Sequence, residues 1–317
     1  MKLRTFIGHT KGILINDSDV PKETELTVLV DEDIVALAHD PQDANCMLAG
    51  SYGRGLFRTL DGGVNWSRVE LNVEYVRTVV FSDCQPGTVY VGIEPAELFR
   101  SRDSGVSWEC LHIRRLPEAA TWSLPYSPRS GALRTVALHP TNPRVIYGGV
   151  EQGGVIKSID GGKAWSLDHE HVDKDVHWIA MDRSRPDVLL AATGDGLFLS
   201  KDGALSWAKL IDDYTRAAMI HPLDPMIAFA GPAHQVGEHG RIIRSRDGGE
   251  NWELASDGLK LPMDDMVEFF VSDPRRPDTV FAICSEGRLL YSHVRKVNWQ
   301  VVECGAMVQC LDFVEQA

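Results

Sequence analysis

No apolar run in this sequence approaches the ~18 residues of a membrane-spanning helix. The N-terminus, MKLRTFIGHTKGILIND, lacks the long apolar core and small-residue cleavage site of a signal peptide. Cysteines are few and scattered: Cys46, Cys84, Cys110, Cys284, Cys304 and Cys310, with no CxxC and no metal-ligand spacing. Basic residues fall short of acidic ones, 32 against 45, for a net charge of −13. That balance argues against a general nucleic-acid or anionic-membrane binder. The expectation is a cytoplasmic chain with reduced thiols. Its 317 residues suffice for one core without covalent staples.

What the sequence has is a repeat. Thr59-Leu-Asp61-Gly-Gly63-Val-Asn-Trp66 recurs as Ser101–Trp108, Ser158–Trp165, Ser200–Trp207 and Ser245–Trp252, with Asp103, Asp160, Asp202 and Asp247 in place of Asp61. A sixth copy, Ser292 to Trp299, has Val294 and Lys296 where Asp and Gly belong. Physically this is a tight turn. The Asp carboxylate accepts nearby backbone N–H groups and glycine supplies the positive φ. A strand-like run precedes each turn (GLFRT, ELFRS, GVIKS, GLFLS), and an apolar run after a Pro-containing turn precedes that (PRVIYGGV, PDVLLAAT). Each unit therefore reads as four short antiparallel strands, one blade of a β-propeller.

Six blades follow directly, with innermost strands beginning near 34, 76, 133, 176, 215 and 267. Met307–Phe313 reads as one more innermost strand, and the N-terminal TFIGHTKGILIND and ELTVLV as the outer strands it lacks. Joining them predicts an all-β, seven-bladed ring over 1–317 as a single domain, with no exposed sheet edge. The seventh turn has decayed to Asp17 and Asp19 without a Trp, so six blades with a terminal extension is the alternative.

The Ser-x-Asp-x-Gly-x-x-Trp turns resemble the Asp-box (bacterial neuraminidase) repeat of sialidases, sortilin-type receptors and photosystem assembly factors, over nearly the whole chain. The resemblance implies the propeller fold, and either ligand chemistry on an anionic glycan or a protein-interaction scaffold. The five Asp-box carboxylates are expected to be structural, occupied by their own turns.

Function in such rings gathers where the channel opens on the opposite face. Aligning innermost strands puts Val35, Arg77, Arg134, His177, Arg216, Glu268 and Gln309 in one register. A second register, in the loop between the second and third strands, holds His9, Tyr52, Glu94, Glu151, Thr193, Glu238 and Ser285. Arg77, Arg134 and Arg216 share blades with Glu94, Glu151 and Glu238. One reading is a polar funnel whose guanidiniums grip a carboxylate, sulfate or phosphate, with Glu94, Glu151, Glu238 and His177 available for acid–base work. The other is an Arg–Glu pair repeated to tie the first two strands together. Two insertions break the repeat. LPEAATWSLPYSPRSG brings Trp122 and Tyr126, which could stack on a sugar or pack on the neighbouring blade. PAHQVGEHG brings His234, Glu238 and His239, which with His177 suggest a divalent metal; His169 and His171 lie in the link before His177. His139, His221, Asp40 and Asp273 each close an innermost strand and read as turn formers.

Sialidase relatives imply three arginines on a substrate carboxylate, for which Arg77, Arg134 and Arg216 are available. The family's Arg-Ile-Pro motif is absent and no Tyr–Glu pair can be assigned. Binding an anionic small molecule or glycan, with hydrolase or lyase chemistry of another kind, is therefore expected ahead of sialidase activity. A non-catalytic scaffold with a protein partner is the alternative.

Overall fold

Val89–Glu94, Ile146–Glu151 and Leu189–Thr193 are buried at every position. Strands that read as near-continuous apolar runs are covered on both faces, and a sheet stacked between two others meets that condition. The structure, a computed structural model, describes residues 2–17, 26–168, 171–273 and 276–316. It is a ring of seven antiparallel sheets, each with four strands along its main path. Six blades run outward in chain order from the innermost strands Ile34–Asp40, Tyr75–Phe81, Ala132–Leu138, Val176–Met181, Tyr214–Ile220 and Val267–Asp273. The seventh is composite. Its innermost strand, Val308–Gln316, pairs antiparallel with Lys2–His9, followed outward by Gly12–Asn16 and Leu26–Val28. The seven-bladed expectation holds, and the six-bladed alternative does not.

Close stacking needs small residues in the second strands. At Gly149 an added Cβ would stand 2.7 Å from Val176 Cγ1, and at Gly231 2.6 Å from Val267 Cβ. Glycine there lets the next blade's innermost strand lie against the sheet. The closing strand is also held by side chains. Gln309 donates to Asp33, and His39 Nδ1 lies 2.9 Å from Asp312 Oδ2. Burial opposes charge on His39, but the Asp312 carboxylate outweighs it and raises the imidazole above its ordinary value of 6.5.

The five turns behave as their sequence requires. In the second, Ser101 Oγ donates to Asp103 Oδ1 (2.7 Å) and accepts from Gly105 N–H (2.8 Å). Asp103 Oδ1 also accepts the N–H groups of Val106 and Ser107, and Ser107 Oγ donates to Oδ2. Hydrogen bonds from the residue four along lower all five carboxyl pKa values. Asp61, Asp103, Asp202 and Asp247 fall to about 2 from an ordinary 3.8, and Asp160 shifts the same way. In the decayed turn Asp17 pairs with Arg4 at 2.8 Å, while Asp19 lies outside the described residues. A depressed carboxyl contributes stability above its ordinary pKa and loses it as pH falls through the folded-state value. Asp103→Ala should therefore melt below the wild type at pH 6, with the gap closing between pH ~4 and ~2. Melting midpoints across that range test it, and a gap that persisted unchanged at pH 2 would refute it.

His139 and His221 also serve turns. Their Nδ1 atoms accept backbone N–H groups of Thr141, Asn142 and Asp224.

Candidate functional site

Every innermost strand begins at the same face of the ring, and each carries a β-bulge there. The register slips by one between Ile34 and Ala36, Val76 and Thr78, Leu133 and Thr135, Val176 and Trp178, and Val267 and Phe269. It slips again between Thr215 and Ala218, and in the closing strand between Val308 and Cys310. The residues left over are Val35, Arg77, Arg134, His177, Glu268, Arg216 with Ala217, and Gln309, the register picked out from sequence. A bulge re-aims a side chain out of the pleat. These positions can therefore be polar inside a stack of apolar strands.

Arg77, Arg134, Arg216, Glu268 and Gln309 line a cavity of about 250 Å³ at the channel mouth, with Val35, Phe269 and Ser285. Its floor is apolar. A deeper cavity of about 110 Å³ is walled by Leu37, Val79, Val271 and Leu311, and Trp178 meets Phe269 edge-on at 5.3 Å between ring centroids.

The carboxylates stand behind the arginines. Glu94 has no exposed side-chain surface; it accepts from Arg129 Nε at 2.6 Å and lies 3.6 Å from Arg77 Nη1. Glu151 Oε2, on a side chain 5% exposed, accepts from Arg134 Nη1 at 3.0 Å and from the Tyr126 hydroxyl at 2.7 Å. Glu268 faces the cavity between Arg216 Nη1 (2.5 Å) and Arg134 Nη2 (3.7 Å). Burial alone would raise the Glu151 carboxyl, but Arg134, His177 and Tyr126 outweigh it and hold it below the usual range. Burial lowers Arg77, and the neighbouring charge of Arg134 lowers it further. Burial likewise pushes the Tyr126 phenol up, and the Glu151 charge adds to that.

Several expected partners land elsewhere. Arg216 pairs with Glu268 of the next blade and with the Tyr214 hydroxyl (2.8 Å), not with Glu238. The PAHQVGEHG insertion continues the second strand of its blade into an outward hairpin, Ala228–Gln235 with Glu238–Gly240. His234, Glu238 and His239 are exposed there, whereas His177 is buried, so the three histidines do not form one ligand set. His169 lies outside the described residues. Trp122 is 4% exposed and packs among Ala96, Leu98 and Leu133, so it offers no stacking face to a ligand. Tyr126, from the same insertion, does reach the mouth through Glu151. Tyr52 meets Glu94 and Arg129 through its hydroxyl, with the Arg77 guanidinium 5.1 Å from its ring centroid. Arg129, Asp175 and Tyr214 were not visible from sequence. Arg129 sits in the insertion, outside any repeat register, and Asp175 in an inter-blade link.

Fold and site together define a seven-bladed β-propeller with a charged, arginine-lined channel mouth. In sequence the chain is 27% identical over 215 residues to xyloglucanase Xgh74A of Acetivibrio thermocellus, covering 55% of this chain and 25% of that protein. In structure it is similar to the GH74 xyloglucanase from Xanthomonas campestris, with a TM-score of 0.77 and 18% identity over 96% of this chain and 53% of that one. It is also similar to YCF48 bound to D1 peptide, with a TM-score of 0.59 and 19% identity over 89% of this chain and 88% of that one. The chain thus spans a quarter of the curated relative and about half of the xyloglucanase structure. No family model matches it.

Proposed function

We propose that the channel mouth binds the anionic group of a small molecule or glycan, gripping a carboxylate between Arg77, Arg134 and Arg216. The observation that carries this is Arg77. It lines the cavity beside a second guanidinium, its nearest carboxylate oxygen is 3.6 Å away, and it sits where its own charge is disfavoured. An anion there relieves the repulsion and gains charge-assisted hydrogen bonds. The cavity, about 250 Å³, falls just below the ~300–1,000 Å³ of ordinary small-molecule sites. Only a small acid, or one acidic unit of a longer ligand, seats fully. In this reading Glu94 and Glu151 are positioning residues that aim the arginines; Glu151 is held ionised and is no proton donor near neutrality.

Arg77→Ala is the clean test, because Glu94 keeps Arg129 as its partner. Binding of citrate, glucuronate and phosphate is measured by calorimetry and thermal shift; a ligand at a hundredfold over Kd adds roughly 2.7 kcal/mol. Losing one charge-assisted contact costs about 1.5–3 kcal/mol, roughly 10- to 150-fold in Kd. An Arg77→Ala protein binding every anion as the wild type does would sink the reading.

One observation favours a second reading, a scaffold that holds a peptide. The chain matches 88% of the peptide-bound YCF48 structure but only 53% of the xyloglucanase. Peptides ending in a free carboxylate, compared with their amidated forms, separate the two. Preference for the peptide over sugar acids, lost on amidation, favours the scaffold.

A further inference from the structure

The wall of the mouth between the third and fourth blades holds Glu151 beside two side chains that anion binding does not use. Glu151 ends the second strand of the third blade, His177 is the bulged residue of the fourth, and Asp175 lies in the link between them. One ligand atom from each lies within 4.8 Å of the others. His177 is 3% exposed, yet neither ring nitrogen has a hydrogen-bond partner, and Asp175 Oδ1 is likewise buried without one. A buried polar group left unpaired is costly and calls for an explanation. His177 Nε2 stands 3.4 Å from Asp175 Oδ2, in a geometry that falls short of a hydrogen bond. Two ligand atoms each ~2.0–2.1 Å from a tetrahedral ion lie ~3.3 Å apart.

We infer that Glu151, Asp175 and His177 form a binding site for one divalent cation of the zinc class. The donor set is one imidazole and two carboxylates, which suits a borderline ion and neutralises its charge. Three protein ligands leave a fourth position for water or a bound molecule, the composition of an open site. The surroundings hold the ligands in place. Gly194 N–H donates to the Asp175 carbonyl at 2.9 Å, and Asp195 N–H to Asp173 Oδ2 at 3.0 Å. A Cβ on Gly194 would fall 2.5 Å from Asp175 Oδ2, so glycine there leaves room for the carboxylate. Burial and the charge of Asp175 raise the Asp173 carboxyl, while the positive charges of Arg134 and Arg216 act on His177. The two readings share Glu151, which also accepts from Arg134, but no guanidinium is among the proposed ligands.

The test is equilibrium dialysis of chelator-stripped full chain against Zn²⁺ or Co²⁺, with elemental analysis and visible Co²⁺ absorption. One ion per chain is expected. Asp175→Asn, His177→Ala and Gly194→Ala should each weaken binding by at least ~10- to 100-fold, the scale seen when a metal site's supporting residues are disturbed. Asp175→Asn is isosteric and keeps the test valid if His177→Ala folds poorly. No stoichiometric ion in the wild type overturns the inference. So does an ion that survives Asp175→Asn but is lost on Cys110→Ser, which would place it at the separate Glu97, Cys110 and His112 group. Citrate binding to metal-free protein, compared with Arg77→Ala, judges the anion reading separately.

Discussion

Arg134→Ala is expected to destabilise the protein by about 3–5 kcal/mol, the cost of breaking a buried ion pair by removing one partner, and to abolish anion binding. Glu151 and Glu268 both face Arg134, with side chains 5% and 14% exposed. Neither can recover its lost partner from water. Tyr126 still donates to Glu151, and Arg216 still holds Glu268, so the loss is partial and the ring survives. Arg134→Met combined with Glu151→Gln should recover much of the loss, because the orphaned charge disappears with its partner. Urea unfolding of the single and double variants reads the difference. A change below ~1 kcal/mol in Arg134→Ala, the range of an exposed pair, would show that the pair is solvated and the mouth not organised as described.

Truncation after Gly305 should abolish the cooperative fold altogether. The missing segment contains Val308–Gln316, whose Val308, Leu311, Phe313 and Val314 are buried and which pairs along the whole of Lys2–His9. One buried Phe lost to Ala costs about 3–5 kcal/mol, against a total stability of ~5–15 kcal/mol for an ordinary protein. Losing the strand also exposes the edge of Lys2–His9 and uncovers the inner faces of the first and sixth blades, inviting association. The expected result is no cooperative melt and an aggregated elution profile. A synthetic peptide covering residues 306–317, supplied during refolding, should restore the ring. A truncated chain that stayed monodisperse and melted cooperatively would refute closure by this strand.

Part of the mouth is legible in the sequence. Counting from each turn put Arg77, Arg134, His177, Arg216 and Glu268 in one register, and the bulge shared by all seven blades explains why that counting worked. The bulge itself leaves no mark in sequence, because its extra residue is Val, Arg, His, Glu or Gln with equal ease. Pairings were less legible. Arg216 was matched with Glu238 by position in the blade, but the nine-residue insertion carries Glu238 outward on a hairpin and Glu268 of the next blade takes the contact. Trp122 looked available for stacking and is core, since its insertion folds back onto the sheet that holds Ala96 and Leu98. Arg129 holds Glu94 from that same insertion, and nothing periodic marked it.

By itself the sequence determined the local and the repeated: the turns, the four-strand unit, seven blades and the closure of chain end onto chain start. These rest on hydrogen bonds within eight residues and on apolar patterning, both of which recur at a fixed spacing. Within a blade the sequence also paired Arg77 with Glu94 and Arg134 with Glu151, as the structure does; only the tertiary structure decided which charges meet beyond the blade. Arg134 reaches Glu268 across the channel from the third blade to the sixth, Arg129 reaches Glu94 from an insertion, and Glu151 meets His177 of the next blade and Asp175 of the link before it. Such contacts depend on how far one sheet is rotated against the next, and residue spacing within a blade carries no record of that angle.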